Sequence, residues 1–87
     1  MQIKSGFLLR KVGSQYVVAA TGEASKNFNG MIRLDESGAF AFELLRNEIT
    51  EDALLSALAE KYAVPEAALQ ADLVRFLGKL KEADALV

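Results

Sequence analysis

Hydrophobic and polar positions follow two different periods along this chain, and the change falls at Asp35. Before it, short β-rich runs dominate. Gly6-Phe7-Leu8-Leu9-Arg10-Lys11-Val12 is followed by Gly13-Ser14 and then by Gln15-Tyr16-Val17-Val18-Ala19-Ala20, which predicts a hairpin closed by a two-residue turn of type II′. A polar link, Thr21 to Asn27, leads into Phe28-Asn29-Gly30-Met31-Ile32-Arg33-Leu34. This run alternates, with Phe28, Ile32 and Leu34 on one side of a strand and Asn29, Met31 and Arg33 on the other.

After Asp35 the apolar positions recur at helical spacing. Asp35 serves as N-cap with Glu36 in the first turn, and Phe40, Ala41, Leu44 and Leu45 form one apolar face of a helix ending near Arg46 or Asn47. Thr50 opens a second helix, with Glu51 and Asp52 at its positive end and Leu54, Leu55, Leu58 and Tyr62 as its stripe. A third helix starts near Pro65, whose missing N–H costs little in a first turn. Its stripe is Leu69, Leu73, Phe76, Leu77 and Leu80. Strands segregated before helices predict an α+β fold: a three-stranded antiparallel sheet followed by three helices packed on one side of it, in a single domain over residues 1–87. Two short helices and a longer third have the outline of a helix-turn-helix core with a sheet attached.

Composition narrows the function. The 87 residues include no Cys and no His, so thiol chemistry, disulfides, Cys/His zinc sites and imidazole base catalysis lack their side chains. The serines Ser5, Ser14, Ser25, Ser37 and Ser56 have no histidine to activate them. The carboxylate pairs Asp35/Glu36 and Glu51/Asp52 sit at helix starts, where they cap exposed N–H groups. Single scattered glycines form no phosphate loop. The sequence therefore predicts a protein that is not an enzyme and holds no metal or cofactor. No secretory pattern opens the chain and no 18-residue apolar segment occurs, which predicts a cytoplasmic protein that does not enter a membrane.

Charge is unevenly placed. Residues 1–34 carry Lys4, Arg10, Lys11, Lys26 and Arg33 against Glu23, a net of +4, whereas residues 35–87 carry 11 acids against five bases, a net of −6. The third helix sets Arg75, Lys79 and Lys81 against Glu66, Asp72, Glu82 and Asp84. That balance argues against phosphate neutralisation on a duplex. An interaction module remains. In a sheet ordered 1-2-3 the third strand is an edge with one row of unpaired N–H and C=O groups. With Gly30, no Pro and only Arg33 as a charge it is weakly defended, open to an incoming strand or to cover by a loop or a second copy of the chain. On the helix face opposite the core stripe, Ala67, Ala71, Val74 and Gly78 form a low surface that another backbone can approach. A winged-helix nucleic-acid binder and a homodimerisation domain stand as the alternative classes.

The run Phe28-Asn29-Gly30-Met31-Ile32-Arg33-Leu34-Asp35-Glu36-Ser37-Gly38-Ala39-Phe40, followed by Glu43-Leu44-Leu45, resembles the strand-to-helix signature of the PqqD-like family. The spacing onward to Thr50-Glu51-Asp52-Ala53-Leu54, to Leu58 and Tyr62, and to Phe76-Leu77 and Leu80 is also similar, so that the resemblance runs from Gly6 to Leu86. It implies a winged helix-turn-helix fold that has exchanged DNA for peptides. Such domains are recognition elements for ribosomally made precursor peptides. They hold the leader segment and present the core to a modifying enzyme, often a radical SAM maturase. In the family the leader adds as an extra antiparallel strand to the third strand and lies in the cleft against the third helix. Carried onto this chain, the resemblance implies a peptide site at Asn29, Met31, Ile32 and Arg33 of the strand and at Asp72, Arg75, Phe76 and Lys79 of the helix. Family members often end with a Gly-Leu or Gly-Trp pair, whereas this chain reads Glu82-Ala83-Asp84-Ala85-Leu86-Val87. The resemblance therefore points to a peptide pathway other than pyrroloquinoline quinone synthesis.

Overall fold

Turn chemistry sets the first two strands. Strands β1 (Phe7–Val12) and β2 (Gln15–Ala20) pair antiparallel with Val12 opposite Gln15, leaving Gly13 and Ser14 as the two-residue turn. Gly13 takes φ +64°, a left-handed conformation that its missing Cβ permits, while Ser14 stays outside that region, as the type II′ geometry requires. The structure is a computed structural model describing residues 1–22, 24–27 and 30–87.

Strand β3 (Met31–Leu34) lies antiparallel beside β2, with Tyr16 opposite Leu34, Val17 opposite Arg33, Val18 opposite Ile32 and Ala19 opposite Met31. The sheet order is β1-β2-β3, which makes β3 an edge. Its alternation is as the sequence predicts: Ile32 and Leu34 are buried, Met31 and Arg33 exposed. The expectations for Phe28 and Asn29 lie outside the described residues. The link before β3 holds one helical turn, α1 (Ala24–Asn27), where the sequence predicts only a polar loop. Four residues are too few to show a period. The turn is held locally instead, by Ser25 donating from its hydroxyl and its N–H to the Gly22 carbonyl at 2.7 and 3.1 Å.

Three longer helices follow: α2 (Glu36–Leu44), α3 (Glu51–Tyr62) and α4 (Glu66–Glu82). Asp35 and Thr50 cap the first two, accepting the N–H groups of Gly38 and Ala53. Pro65 precedes the first turn of α4 and offers no side-chain cap. The buried face of α2 differs from the one expected. Phe42 and Leu45 are fully buried and Ala39 and Ala41 nearly so, while Phe40 and Leu44 are only half-buried. The reason is that α2 packs against β2, β3 and α3 at once, so more than one face is covered and a single stripe underestimates its burial. One core joins Phe7, Val18, Ile32 and Leu34 of the sheet to Phe42 and Leu45, to Leu54 and Leu58, and to Leu73, Phe76, Leu77 and Leu80. Each such side chain contributes about 1.5–3 kcal/mol by leaving water.

The two chain ends clasp one another, a feature the periodicity does not show. Ile3 bridges Leu86 in an antiparallel pair, the Lys4 N–H donates to the Ala85 carbonyl at 2.7 Å, and the Val87 N–H donates to the Gln2 carbonyl at 2.8 Å. From the other side, the Ile3 N–H donates to the Leu45 carbonyl at 2.8 Å, which ties this short ladder to the end of α2. Helix α4 stops in a Schellman motif: Asp84 turns left-handed at φ +55°, its N–H reaches the Lys81 carbonyl, and the Ala85 N–H reaches the Leu80 carbonyl. Ala83 and Ala85 on either side of it are buried, whereas Asp84 is exposed and pairs with Lys4 at 2.8 Å.

Helix α3 also ends on a left-handed residue, with Ala63 at φ +54° and the Val64 N–H donating to the Ala59 carbonyl at 3.1 Å. An L-residue with a Cβ is strained there and glycine is not. Ala63→Gly is therefore expected to stabilise the protein by about 0.5–1 kcal/mol in urea unfolding, since Ala63 is exposed and its Cβ supports no packing. At the preceding position, Tyr62 stacks edge-on against Phe40 with ring centroids 6.2 Å apart, yet its hydroxyl is buried without a hydrogen-bond partner among the described residues. Burial, helped by the charges of Glu36 and Asp35, pushes that phenol above its ordinary pKa. Tyr62→Phe keeps the ring contact and removes the orphaned group, so its unfolding free energy is expected to equal the parent's or exceed it by up to about 1 kcal/mol.

Candidate functional site

Strand β3 and helix α4 stand apart across a cleft, because α2 and α3 fill the space beneath them. The cleft has two segments. The first, about 320 Å³, is lined by Arg33 and Leu34 of β3, by Asp35, Ser37, Gly38 and Ala41 around the start of α2, by Leu58 of α3, and by Leu69, Asp72, Leu73, Arg75, Phe76 and Lys79 of α4. The second, about 470 Å³, continues along the strand between Met31, Ile32 and Arg33 on one side and Lys79, Glu82 and Ala83 on the other. A further hollow of about 380 Å³, near Lys4, Phe7 and Val87, adjoins the second segment at Ala83.

The floor is apolar and the rim charged. Leu34, Ala41, Leu58, Leu73 and Phe76 are buried and Leu69 half-buried, while Arg33, Asp35, Asp72, Arg75 and Lys79 are exposed. Asp72 and Arg75 form an ion pair one helical turn apart. Asp35 accepts both the Gly38 N–H, at 2.8 Å, and the Ser37 hydroxyl, at 2.9 Å. Gly38 leaves little room: a Cβ would come within 3.1 Å of the Leu34 side chain and 3.3 Å of the Asp35 carboxylate, so a side chain there requires these neighbours to give way slightly.

Of the residues expected at a site, Met31, Ile32, Arg33, Asp72, Arg75, Phe76 and Lys79 are brought together along this cleft. Their parts differ. Ile32 is 8% exposed and Phe76 9%, so both are walls anchored in the core, whereas Met31 is 67% exposed. Asn29 lies outside the described residues. Leu34, Asp35, Ser37, Gly38, Leu58, Leu69 and Leu73 also line the cleft and were not expected there. A glycine in a helical first turn was the one sequence signal that could have pointed to the Asp35–Gly38 corner. The low surface of Ala67, Ala71, Val74 and Gly78 lies opposite the core stripe, as the sequence predicts, and away from the cleft. These residues line neither segment of the cleft; Val74, 59% exposed, belongs to the opposite side of α4, and a Cβ at Gly78 would meet nothing within 4 Å. A helix face opposite the core stripe points into solvent, and the cleft opens along the flank between the two.

The family model for coenzyme PQQ synthesis protein D (PqqD) matches residues 12–86. The chain belongs to the PqqD family. The matched span includes β2, β3 and all the helices that build the cleft. None of the curated proteins matches the chain in sequence. Among solved structures, TbiB1 in complex with the TbiA(beta) leader peptide is similar to it with a TM-score of 0.75, at 20% identity, over 99% of this chain and 94% of that chain. That likeness is one of fold, and it covers β1 as well. Among the described residues no cluster of acidic side chains is arranged to hold a metal ion, and no helix is long and apolar enough to cross a membrane.

The Asp35 carboxyl is held below its ordinary pKa, first by the Gly38 N–H and then by the Ser37 hydroxyl, with Lys79 across the cleft adding a smaller favourable charge and burial opposing them. A carboxyl depressed in the folded state stabilises it above the unfolded value, and that stabilisation is lost as pH falls through the folded value. Asp35→Ala is expected to cost about 1 kcal/mol at neutral pH. In a pH series of urea unfolding curves the gap between variant and parent should narrow below a pH of about 4 and close under the lowered pKa.

Proposed function

We propose that this protein is a non-catalytic recognition element that binds the leader segment of a ribosomally synthesised precursor peptide as an added strand on β3 and presents it to a modifying enzyme, such as a radical SAM maturase. The observation that carries the reading is the pairing of β3 on one side only, beside a cleft with an apolar floor. Unpaired N–H and C=O groups supply affinity to any extended backbone, and the pockets between Leu34, Leu69, Leu73 and Phe76 select among its side chains. Membership in the PqqD family supports it. So does the TbiB1 complex, in which a protein of this fold is bound to a leader peptide.

A chain without His or Cys supplies binding and orientation, and the chemistry falls to the partner. The carboxylate with the best-defined surroundings, Asp35, is occupied as a helix cap and holds a depressed pKa, the wrong direction for a general base or acid near neutrality. A protein with this role works in the cytoplasm, where precursor peptides are made.

The test uses fluorescence anisotropy with a labelled leader from a precursor encoded beside this protein. Met31 opens β3 with its side chain outward, so Met31→Pro alters the edge backbone and leaves the inward row intact. The variant is expected to remain folded by circular dichroism and to lose at least about tenfold in affinity, roughly 1.4 kcal/mol. Val74→Glu, on the far side of α4, should bind as the parent does. Unchanged binding by Met31→Pro would mean that the peptide binds elsewhere.

A further inference from the structure

The sheet is charged with one sign. Its strands carry Arg10, Lys11 and Arg33 and no acidic residue. Register places Arg10 opposite Val17 and Val17 opposite Arg33, so these three form one cross-strand row on the solvent face, with Arg33 at the open edge. Met31 ends the neighbouring row, Leu8-Ala19-Met31, which is apolar throughout. Neither Arg33 nor Lys79, the cation across the cleft mouth, enters an ion pair among the described residues, whereas Arg75 is taken by Asp72. Arg33 and Lys79 are also the two residues shared by both cleft segments, so they flank the point where the segments meet. Glu82 lines only the Met31 end, which disfavours a carboxylate there.

We infer that the extended peptide on β3 carries an acidic residue at the register position of Arg33, flanked on both sides by apolar residues that turn into the cleft. The inference rests on the strand-addition reading above. It follows from the pleat: a strand added to β3 continues its rows, so the side chain beside Arg33 points to the solvent face and those one residue before and after it point inward, toward Leu34, Leu73 and Phe76. Two residues from the acid, beside Met31, the solvent-face row calls for an apolar side chain. The specificity pattern is therefore apolar, acidic, apolar, apolar, read along the peptide from its residue opposite Leu34 to the one opposite Met31.

The full-length protein is immobilised and a displayed library of random 12-residue peptides is selected on it, followed by anisotropy with the recovered peptides as labelled probes. Recovered sequences are expected to share one Asp or Glu between two apolar residues. Replacing that acid by Lys should weaken binding at least about fivefold, with the loss shrinking in high salt. Arg33→Glu, an exposed change that leaves the protein folded by circular dichroism, should reverse the preference to the Lys probe, and Lys79→Glu should reduce it less. Peptides that compete with one another, lose affinity to Met31→Pro and show no preference for an acid would overturn this inference and leave strand addition standing. Recovery of no peptide sensitive to Met31→Pro would overturn both.

Discussion

Among the described residues, strand β3 is hydrogen-bonded to β2 on one side and to no strand on the other, and most of this molecule can be understood from that asymmetry. An edge strand of four residues is weak by itself. It is held because its inward row, Ile32 and Leu34, is buried in the same core as Val18 from β2 and Phe42 from α2. A slip of one residue would carry Ile32 and Leu34 to the solvent face and Met31 and Arg33 into the core, so the register is strongly specified. The strand is thus fixed in position yet unsatisfied along its open edge, the combination that strand addition needs.

The cleft beside that edge is kept open by the elements beneath it. Helix α2 packs against the sheet and α3, and α4 packs against α3, with Phe42, Leu45, Leu54, Leu58, Leu73, Leu77 and Leu80 all in the one core. Helix α4 is thereby fixed at a distance from β3 instead of packing onto it. The Asp35 cap and the glycine at 38 let the start of α2 come close under the end of β3, which shapes one end of the cleft. At the other end, the ladder between residues 2–4 and 85–87 ties the end of α4 to the end of α2, so the wall formed by Lys79, Glu82 and Ala83 is braced from behind.

Polar groups at the cleft separate into those already used and those still available. Asp35 is occupied by the backbone it caps and Asp72 by Arg75, whereas Arg33 and Lys79 have no ionic partner among the described residues. Exposed ion pairs contribute little to stability, so the Asp72–Arg75 pair holds the helix only weakly. The apolar floor below these groups is formed by side chains anchored in the core. The cleft's charged residues stand at the rim in solvent.

Local patterns in the sequence were sufficient for the elements themselves. The period of two in Met31–Leu34, the Gly13-Ser14 turn, the caps Asp35 and Thr50 and the stripe Leu73, Phe76, Leu77 and Leu80 all act over a few residues, so the α+β order and the edge position of β3 were legible in the chain itself. Family-like spacing also located most of the cleft's charged rim. What only the tertiary structure decided depends on groups far apart in the chain. Phe42 is buried because three elements converge on α2; the single turn α1 is too short to carry a period; and the clasp of residues 2–4 on 85–87 spans the whole sequence. The same holds for the side of α4 that faces β3. Periodicity separates a buried stripe from an exposed one, but the cleft runs along the boundary between them, and its direction is set by how α4 crosses the other helices, a property that no window of local sequence contains.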